Sequence, residues 1–525
     1  MCTSMVDVDK NINRAIALGL LEVSPDSSLR VPRILSLNLP EDSEGLHRQA
    51  AEVLYRLWWE EAESSTEEQR LEIHRLAMLG KVEKISVEIA DVLTHRWKDQ
   101  SRFREAVKTC QETLAVFPDY RIFHSLARSQ AELGETDAAK KYYQQALDEC
   151  PPTDEIVKAA ILHNLAGIYA TQGEVAKAIA FYEQSLELKE KIGNVRGKPA
   201  TLHCLAIIYA NQGEIAKAIA LYEQSLELWE KIGNVQGKAG TLHCLAGIYA
   251  NQGEVAKAIA LYEQSLELKE KIGDVQGKAA TLHCLAIIYA HQGEVAKAIA
   301  FYEQSLELKE KIGNVQGKAA TLHQLAGIYA YQGEVAKAIA FYEQSLELKE
   351  KIGNVQGKAA TLHELAGIYA KQGEVAKAIA FYEQSLELQE KIGNVQGKAA
   401  TLHCLAIIYA KQGEVAKAIV FYQESLELEE KIGNVQGKAA TLHCLAVIYA
   451  NQGEVAKAIA LYEQSLELEE KIGNVQGKAA TLHQLAIIYA TQGEVAKAIA
   501  FYQESLELEE KIGNVQGWAP LPFHN

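Results

Sequence analysis

Nine histidines recur every 40 residues: His163, His203, His243, His283, His323, His363, His403, His443 and His483. Five have a cysteine directly after them, at Cys204, Cys244, Cys284, Cys404 and Cys444. Imidazole and thiolate are the usual ligands of zinc, but a tetrahedral site needs several of them converging at about 2 Å from the metal. If each pair sits on its own helix in a stack, neighbours lie about 10 Å apart. Adjacent residues on one helix also point about 100° apart. No metal and no cofactor are expected. The same spacing exceeds the roughly 7 Å between Cα atoms that a disulfide tolerates, so the thiols are expected reduced. The histidines read as half-buried lining of a groove. Binding that stays level from about pH 5.5 to 7.5 would dispose of a role for them as a pH sensor.

Other chemistry fails on spacing. Gly193-Asn194-Val195-Arg196-Gly197-Lys198 has three residues between its glycines and proline after its lysine. A phosphate loop needs four, then Ser or Thr to hold Mg²⁺. The recurring glutamates read as solvated helical positions, and no nucleophile–base–acid set stands outside the repeat. The chain is read as a non-enzyme.

The elements behind these ladders come from the repeat itself. Residues 161–520 form nine 40-residue units, of which Thr281–Ala320 is typical. Near-identical units of this length stack into solenoids, because none can bury its apolar face alone. Asp274, or asparagine in most units (Asn314), is placed to cap a first helix. Leu282, Leu285, Ala286 and Tyr289 then repeat at i, i+3, i+4, i+7 along one face. Gly293 breaks that helix. Val295, Ala298, Ile299, Tyr302, Leu306 and Ile312 carry a second helix, which Gly313 ends.

Leu282, Leu285-Ala286, Tyr289, Gly293, Ala298, Tyr302 and Ser305 resemble the tetratricopeptide repeat. The unit is six residues longer than the 34-residue standard, and Glu310 stands where that family has proline. Units of 40 residues are similar to those of the Leu-Gly-Asn-repeat G-protein regulators and kinesin light chain. The resemblance implies an all-α, right-handed superhelical solenoid of antiparallel helix pairs, with first helices lining the concave surface.

Differences among near-copies mark positions freed from common packing. The fourth positions are Asn164, Cys204, Cys244, Cys284, Gln324, Glu364, Cys404, Cys444 and Gln484. The seventh positions are Gly167, Ile207, Gly247, Ile287, Gly327, Gly367, Ile407, Val447 and Ile487. The eleventh are Thr171, Asn211, Asn251, His291, Tyr331, Lys371, Lys411, Asn451 and Thr491. Together with the histidines these form one helical stripe opposite the apolar face, expected to hold an extended peptide or a partner protein. The Leu-Gly-Asn family uses asparagines at the fourth and seventh positions, and only Asn164 matches. Position 29 drifts in charge: Lys189, Trp229, Lys269, Lys309, Lys349, Gln389, Glu429, Glu469, Glu509. That reads as a polarity able to orient a partner or another solenoid.

Upstream, residues 65–160 read as divergent helices of the same kind, with Ala106, Ala139 and Ala178 spaced 33 and 39 apart. In residues 1–64, a helix at Asn11–Leu18, β-prone runs around Ser24-Pro25-Asp26, and a helix at Glu44–Glu63 resemble the winged-helix tail of STAND signalling ATPases, without the ATPase domain. Residues 521–525 form a tail. The formal charge of −16 argues against nucleic acid and anionic membrane as partners. No apolar run reaches bilayer length, and Met1–Lys10 lacks a signal peptide's pattern, so a cytoplasmic location is expected. The function expected is a protein-binding scaffold, as the sensor part of a STAND-type system in a narrower version. The alternative is a structural rod that self-associates end to end.

Overall fold

The computed structural model describes residues 12, 22–23, 29–30 and 43–513. The described chain is all-α apart from one antiparallel two-residue pairing, in which Glu22 pairs with Arg30 and Val23 with Leu29. That pairing matches the expected hairpin. The expected helix at 11–18 and the 521–525 tail lie outside the described residues, save Ile12. The chain forms two compact bodies, residues 1–241 and 242–525.

In the first body, the helix Ser43–Tyr55 runs into a single wider turn, Arg56–Glu60. Trp58 and Trp59 pack there on a core of Ile73, Leu76, Ile85 and Ile89. Trp59 Nε1 donates to Glu88 Oε1 at 3.0 Å. Helices Glu67–Leu79, Glu83–Asp99, Phe103–Leu114, Tyr120–Glu132 and Thr136–Glu149 follow. Thr66 opens the first of these with a reciprocal cap, its hydroxyl accepting from Gln69 N–H. The regular units start with Glu155–Thr171 and Val175–Lys191.

The second body repeats one plan. In the unit around Thr281 the helices are Val275–His291 and Val295–Lys311. Asp274 Oδ1 accepts from Gly277 N–H at 2.8 Å, and Asn314 does the same for Gly317, meeting donors that a helix start leaves unpaired. Gly293 turns the chain at φ +77, where a side chain would clash with its own backbone. Leu282, Leu285, Ala286, Ala298 and Tyr302 are buried; the two alanines let the helix axes approach. Ser305 Oγ donates to Ala279 carbonyl at 2.7 Å, tying second helix to first. On the wet side Lys337 pairs with Glu334 at 2.5 Å and lies 4.9 Å over the Tyr329 ring, and this pattern recurs.

Candidate functional site

The histidine ladder proves to be an interlock between units. Each Nδ1 from His163 to His443 lies 2.9–3.1 Å from the Oγ1 of the threonine that begins the next unit. Each ring also packs edge-on against the tyrosine of its own second helix, as His323 does on Tyr342 at 5.1 Å and 71°. Burial favours the neutral imidazole at several of these histidines: it pushes the pKa down to about 3 at His163, His283 and His323. At His243 and His403 it falls to about 4. His483, in the last unit, is exposed.

Position 29 reaches the same threonine from the other side. Lys189, Lys269, Lys309 and Lys349 are buried, and each Nζ donates to that threonine at 2.6–2.8 Å. The threonine hydroxyl in turn donates to the carbonyl four residues back, as Thr321 does to Gly317 at 3.0 Å. One hydroxyl therefore serves an ammonium, an imidazole and a carbonyl. Burial lowers the lysine pKa to about 8 at Lys189, Lys309 and Lys349. In other units the same address holds Trp229, Gln389, Glu429 or Glu469, all buried.

This corrects two readings of the sequence. Glu429 and Glu469 are not solvated; each is 3% exposed. Nor is the charge drift at position 29 a surface polarity across those units, although Glu509 is exposed. A pattern in the sequence points the same way: Ala298, Tyr302, Ser305 and Lys309 stand at i, i+4, i+7 and i+11, so position 29 extends the buried face. The glycine at position 37 belongs to this address too. A Cβ on Gly237 would fall 2.4 Å from the Trp229 ring, a close approach that only glycine allows.

The fourth position is half inside. Cys204, Cys284, Cys404 and Cys444 hydrogen-bond the tyrosine hydroxyl of the preceding unit, Tyr182, Tyr262, Tyr382 and Tyr422 respectively. Burial raises their thiol pKa, which makes them poor nucleophiles. The cysteines among the described residues are free. Asn164 Nδ2 lies 3.0 Å from His124 Nε2, so this asparagine is engaged within the fold. Gln324 and Gln484 are half-buried; Glu364 exposes more of its surface, yet neighbouring side chains still desolvate its carboxyl and raise its pKa. Among the described residues no cluster of His, Cys, Asp and Glu could hold a metal ion.

The outer part of the stripe is what faces solvent. Ile207 and Ile487 are exposed at position 7, while Ile287 and Ile407 are half-buried. At position 11 Asn211, Asn251, His291, Tyr331, Lys371, Lys411 and Asn451 are all exposed. His203, Cys244, His363 and the other half-buried members of positions 3 and 4 lie further in on the same helices.

Stacked antiparallel helix pairs with one first-helix face left variable define a helical-repeat solenoid. Family comparison then gives its kind: tetratricopeptide repeat models match residues 157–231, 197–271, 237–311, 277–351, 357–431 and 437–511, and also 120–153. The chain belongs to the tetratricopeptide repeat family. Among solved structures it is similar to a STAND protein (signal transduction ATPase with numerous domains) with a tetratricopeptide repeat sensor from Pyrococcus horikoshii. The identity is 16% and the TM-score 0.52, over 82% of this chain and 74% of that one. It is also similar to kinesin light chain repeats of Podosopora anserina, 27% identical with a TM-score of 0.33 over 37% of this chain and 96% of that one. A third is the quorum sensor NprR of B. thuringiensis, 16% identical with a TM-score of 0.49, over 66% and 99%. No curated protein sequence matches the chain. Among the described residues no helix is long and apolar enough to cross a membrane.

Proposed function

We propose that the chain is a protein-interaction scaffold, binding an extended peptide or a partner protein along the first-helix stripe. The observation that carries this is the split between constant and variable positions. The leucines, alanines, tyrosines and serine that pack the units barely change, although the buried position 29 does, while the exposed position 11 runs through Asn, His, Tyr, Lys and Thr. Position 7 is isoleucine or valine in five units and glycine in four, giving separate apolar knobs at Ile207 and Ile287 and a run of three from Ile407 to Ile487. Such a face offers side-chain pockets to an extended ligand without any catalytic group. The working surface is then Ile207, Ile287, Ile407 and Ile487 with the position-11 residues. The histidines support it from below, so capture is level from about pH 5.5 to 7.5.

The test replaces Ile207, Ile287, Ile407 and Ile487 together with Asp. Partners recovered by the wild-type chain and identified by mass spectrometry should be lost from the variant; unchanged recovery sinks the reading. In a narrower version the chain is the sensor of a STAND-type system in the cytoplasm. A neighbouring gene, or an in-frame upstream extension, encoding a P-loop ATPase supports that version.

A second reading, self-association, draws on the helix Val495–Gly513. Val495, Ile499 and Leu506 on it are 60%, 52% and 56% exposed. Light scattering over a concentration series separates the two: a mass that stays monomeric removes the rod.

A further inference from the structure

The junctions between units share a histidine and a threonine but differ in what position 29 inserts between them. Gln389 shows that the address accepts a neutral amide, at 4% exposed. Glu429 and Glu469 put a carboxyl group there. Each meets the threonine of the next unit and a serine one turn back, Thr441 and Ser425 for the first, Thr481 and Ser465 for the second. In each, Oε2 is buried without a hydrogen-bond partner. Among the described residues no cation compensates them. The lysine nearest along the next helix, Lys438, is held by Glu430 at 3.0 Å, and Lys478 is held by Glu470 at 2.7 Å and Glu504 at 2.9 Å. The remaining titratable groups facing Glu429 are His403, which reaches Thr441, and Cys444; Glu469 has His443, which reaches Thr481. An ionised carboxylate in this setting keeps an uncompensated charge out of water, and protonation removes that charge.

We propose that the junctions closed by Glu429 and Glu469 are an acid-tolerant segment of the array, staying closed under mild acid that loosens the junctions closed by Lys309 and Lys349. The direction follows from linkage. Burial raises the Glu429 pKa from 4.5 to about 7. Its contribution is therefore fully present below 4.5 and is lost as pH rises through 7. Burial lowers His403 from 6.5 to about 4, so its contribution is present above 6.5 and is lost as pH falls through 4. As the medium acidifies from neutral, the gain at the carboxyl offsets the loss at the imidazole. The junction of Lys309, Thr321 and His283 has no such offset. Its lysine, lowered from 10.5 to about 8, has already lost its contribution by pH 7, and its histidine goes on to lose its own. The same holds for Lys349, Thr361 and His323.

The experiment is hydrogen exchange of the full chain by mass spectrometry from pH 7.5 to 5. The ratio of protection at Glu-type junctions to that at Lys-type junctions cancels the intrinsic pH dependence of exchange. Peptides through Glu429 and Glu469 are distinguished by Val420 and Leu461, and Lys-type peptides by Lys in place of Glu. The ratio should rise about tenfold toward pH 5 in the wild type and stay level in the E429Q/E469Q double variant. A level wild-type ratio, or an equal rise in the variant, overturns the proposal. An infrared spectrum of E364Q, which removes the other carboxyl whose pKa desolvation raises, gives an independent reading should the double variant misfold. A protonated-carboxyl band at pH 6 is expected there, and its absence also overturns the proposal.

Discussion

The junction at Lys349 and the junction at Glu429 share a threonine and a histidine at the same repeat positions, yet one buries an ammonium and the other a carboxyl group that burial favours in its neutral form. At the first, an ammonium donates to Thr361 Oγ1 at 2.7 Å, while His323 Nδ1 lies 3.1 Å from the same oxygen. At the second, Thr441 and Ser425 hydrogen-bond a buried carboxyl, and His403 Nδ1 lies 2.9 Å from Thr441. A hydroxyl can accept or donate, so one threonine can serve either partner. The difference teaches that the array changes its response to pH at a buried address while its outer face keeps a separate pattern.

The largest test of this comparison removes the shared hydroxyl. Thr361→Val strips Lys349 and His323 of a common acceptor. Losing a hydrogen bond to a buried charged group costs about 1.5–3 kcal/mol. Thr441→Val takes a bond from a group that is largely neutral at pH 6, where about 1 kcal/mol is the ordinary cost. Hydrogen exchange reads each locally, since the peptide with Glu364 and Lys371 and the peptide with Val447 are both unique in the chain. Equal losses at the two sites would show that the charge at position 29 does not matter. The next effect has the opposite sign. Lys349→Gln, which installs the residue already present at 389, should stabilise its junction by about 1–3 kcal/mol at pH 7 by removing a buried charge. The gain should shrink between about pH 8 and 10, where the wild-type lysine sheds its proton in the folded chain. Denaturant unfolding at pH 7 and pH 9.5 checks both halves.

Much of the fold was readable in the sequence, for physical reasons that act locally. The caps Asp274 and Asn314, the turn at Gly293 and the buried set Leu282, Leu285, Ala286 and Tyr289 depend on neighbours within one or two helical turns. The interlock does not. His323 and Thr361 are 38 residues apart, and only the register of one helix against the next brings them together. Position 29 was concealed differently. Its neighbours Glu307, Glu310 and Lys311 suggest a wet face, and that local polarity hid its place in line with Ala298, Tyr302 and Ser305. In the candidate interaction face, positions 7 and 11 were legible from variation alone. Position 3 does not vary at all, and position 4 varies as much as position 7, yet the histidines and most of the cysteines there serve the junctions. The β-prone hairpin was readable from its Pro-Asp turn, and its described residues pair as that turn suggests.

A smaller effect tests the histidines' part in the junctions. His323→Gln removes the edge-on contact with Tyr342 and perturbs the bond to Thr361, for about 1 kcal/mol at pH 7.5. Its folded pKa is lowered to about 3, so the wild-type histidine loses its advantage as pH falls below 6.5, and the variant does not. The gap between the two chains should close by pH 5. Exchange in the peptide with Gln324 and Tyr331 measures it; a gap that stays level with pH would place the imidazole in solvent, and one that widens in acid would give its charged form a stabilising partner.

The smallest expected change in stability is on the outer face, and it divides packing from binding most sharply. Ile407 is half-buried at position 7, and the same position is glycine in the units at Gly327 and Gly367. A residue the fold can omit entirely contributes little to the interlock, so Ile407→Asp should shift stability by no more than about 0.5 kcal/mol. In an apolar contact to a partner, the same substitution buries a carboxylate without a counter-charge and should weaken capture by tenfold or more, about 1.4 kcal/mol. Thermal unfolding and partner titration on one preparation settle the pair. Weakened binding with an intact fold assigns the knob to the partner, whereas a fall in both would move position 7 into the same packing role as the threonines beneath it.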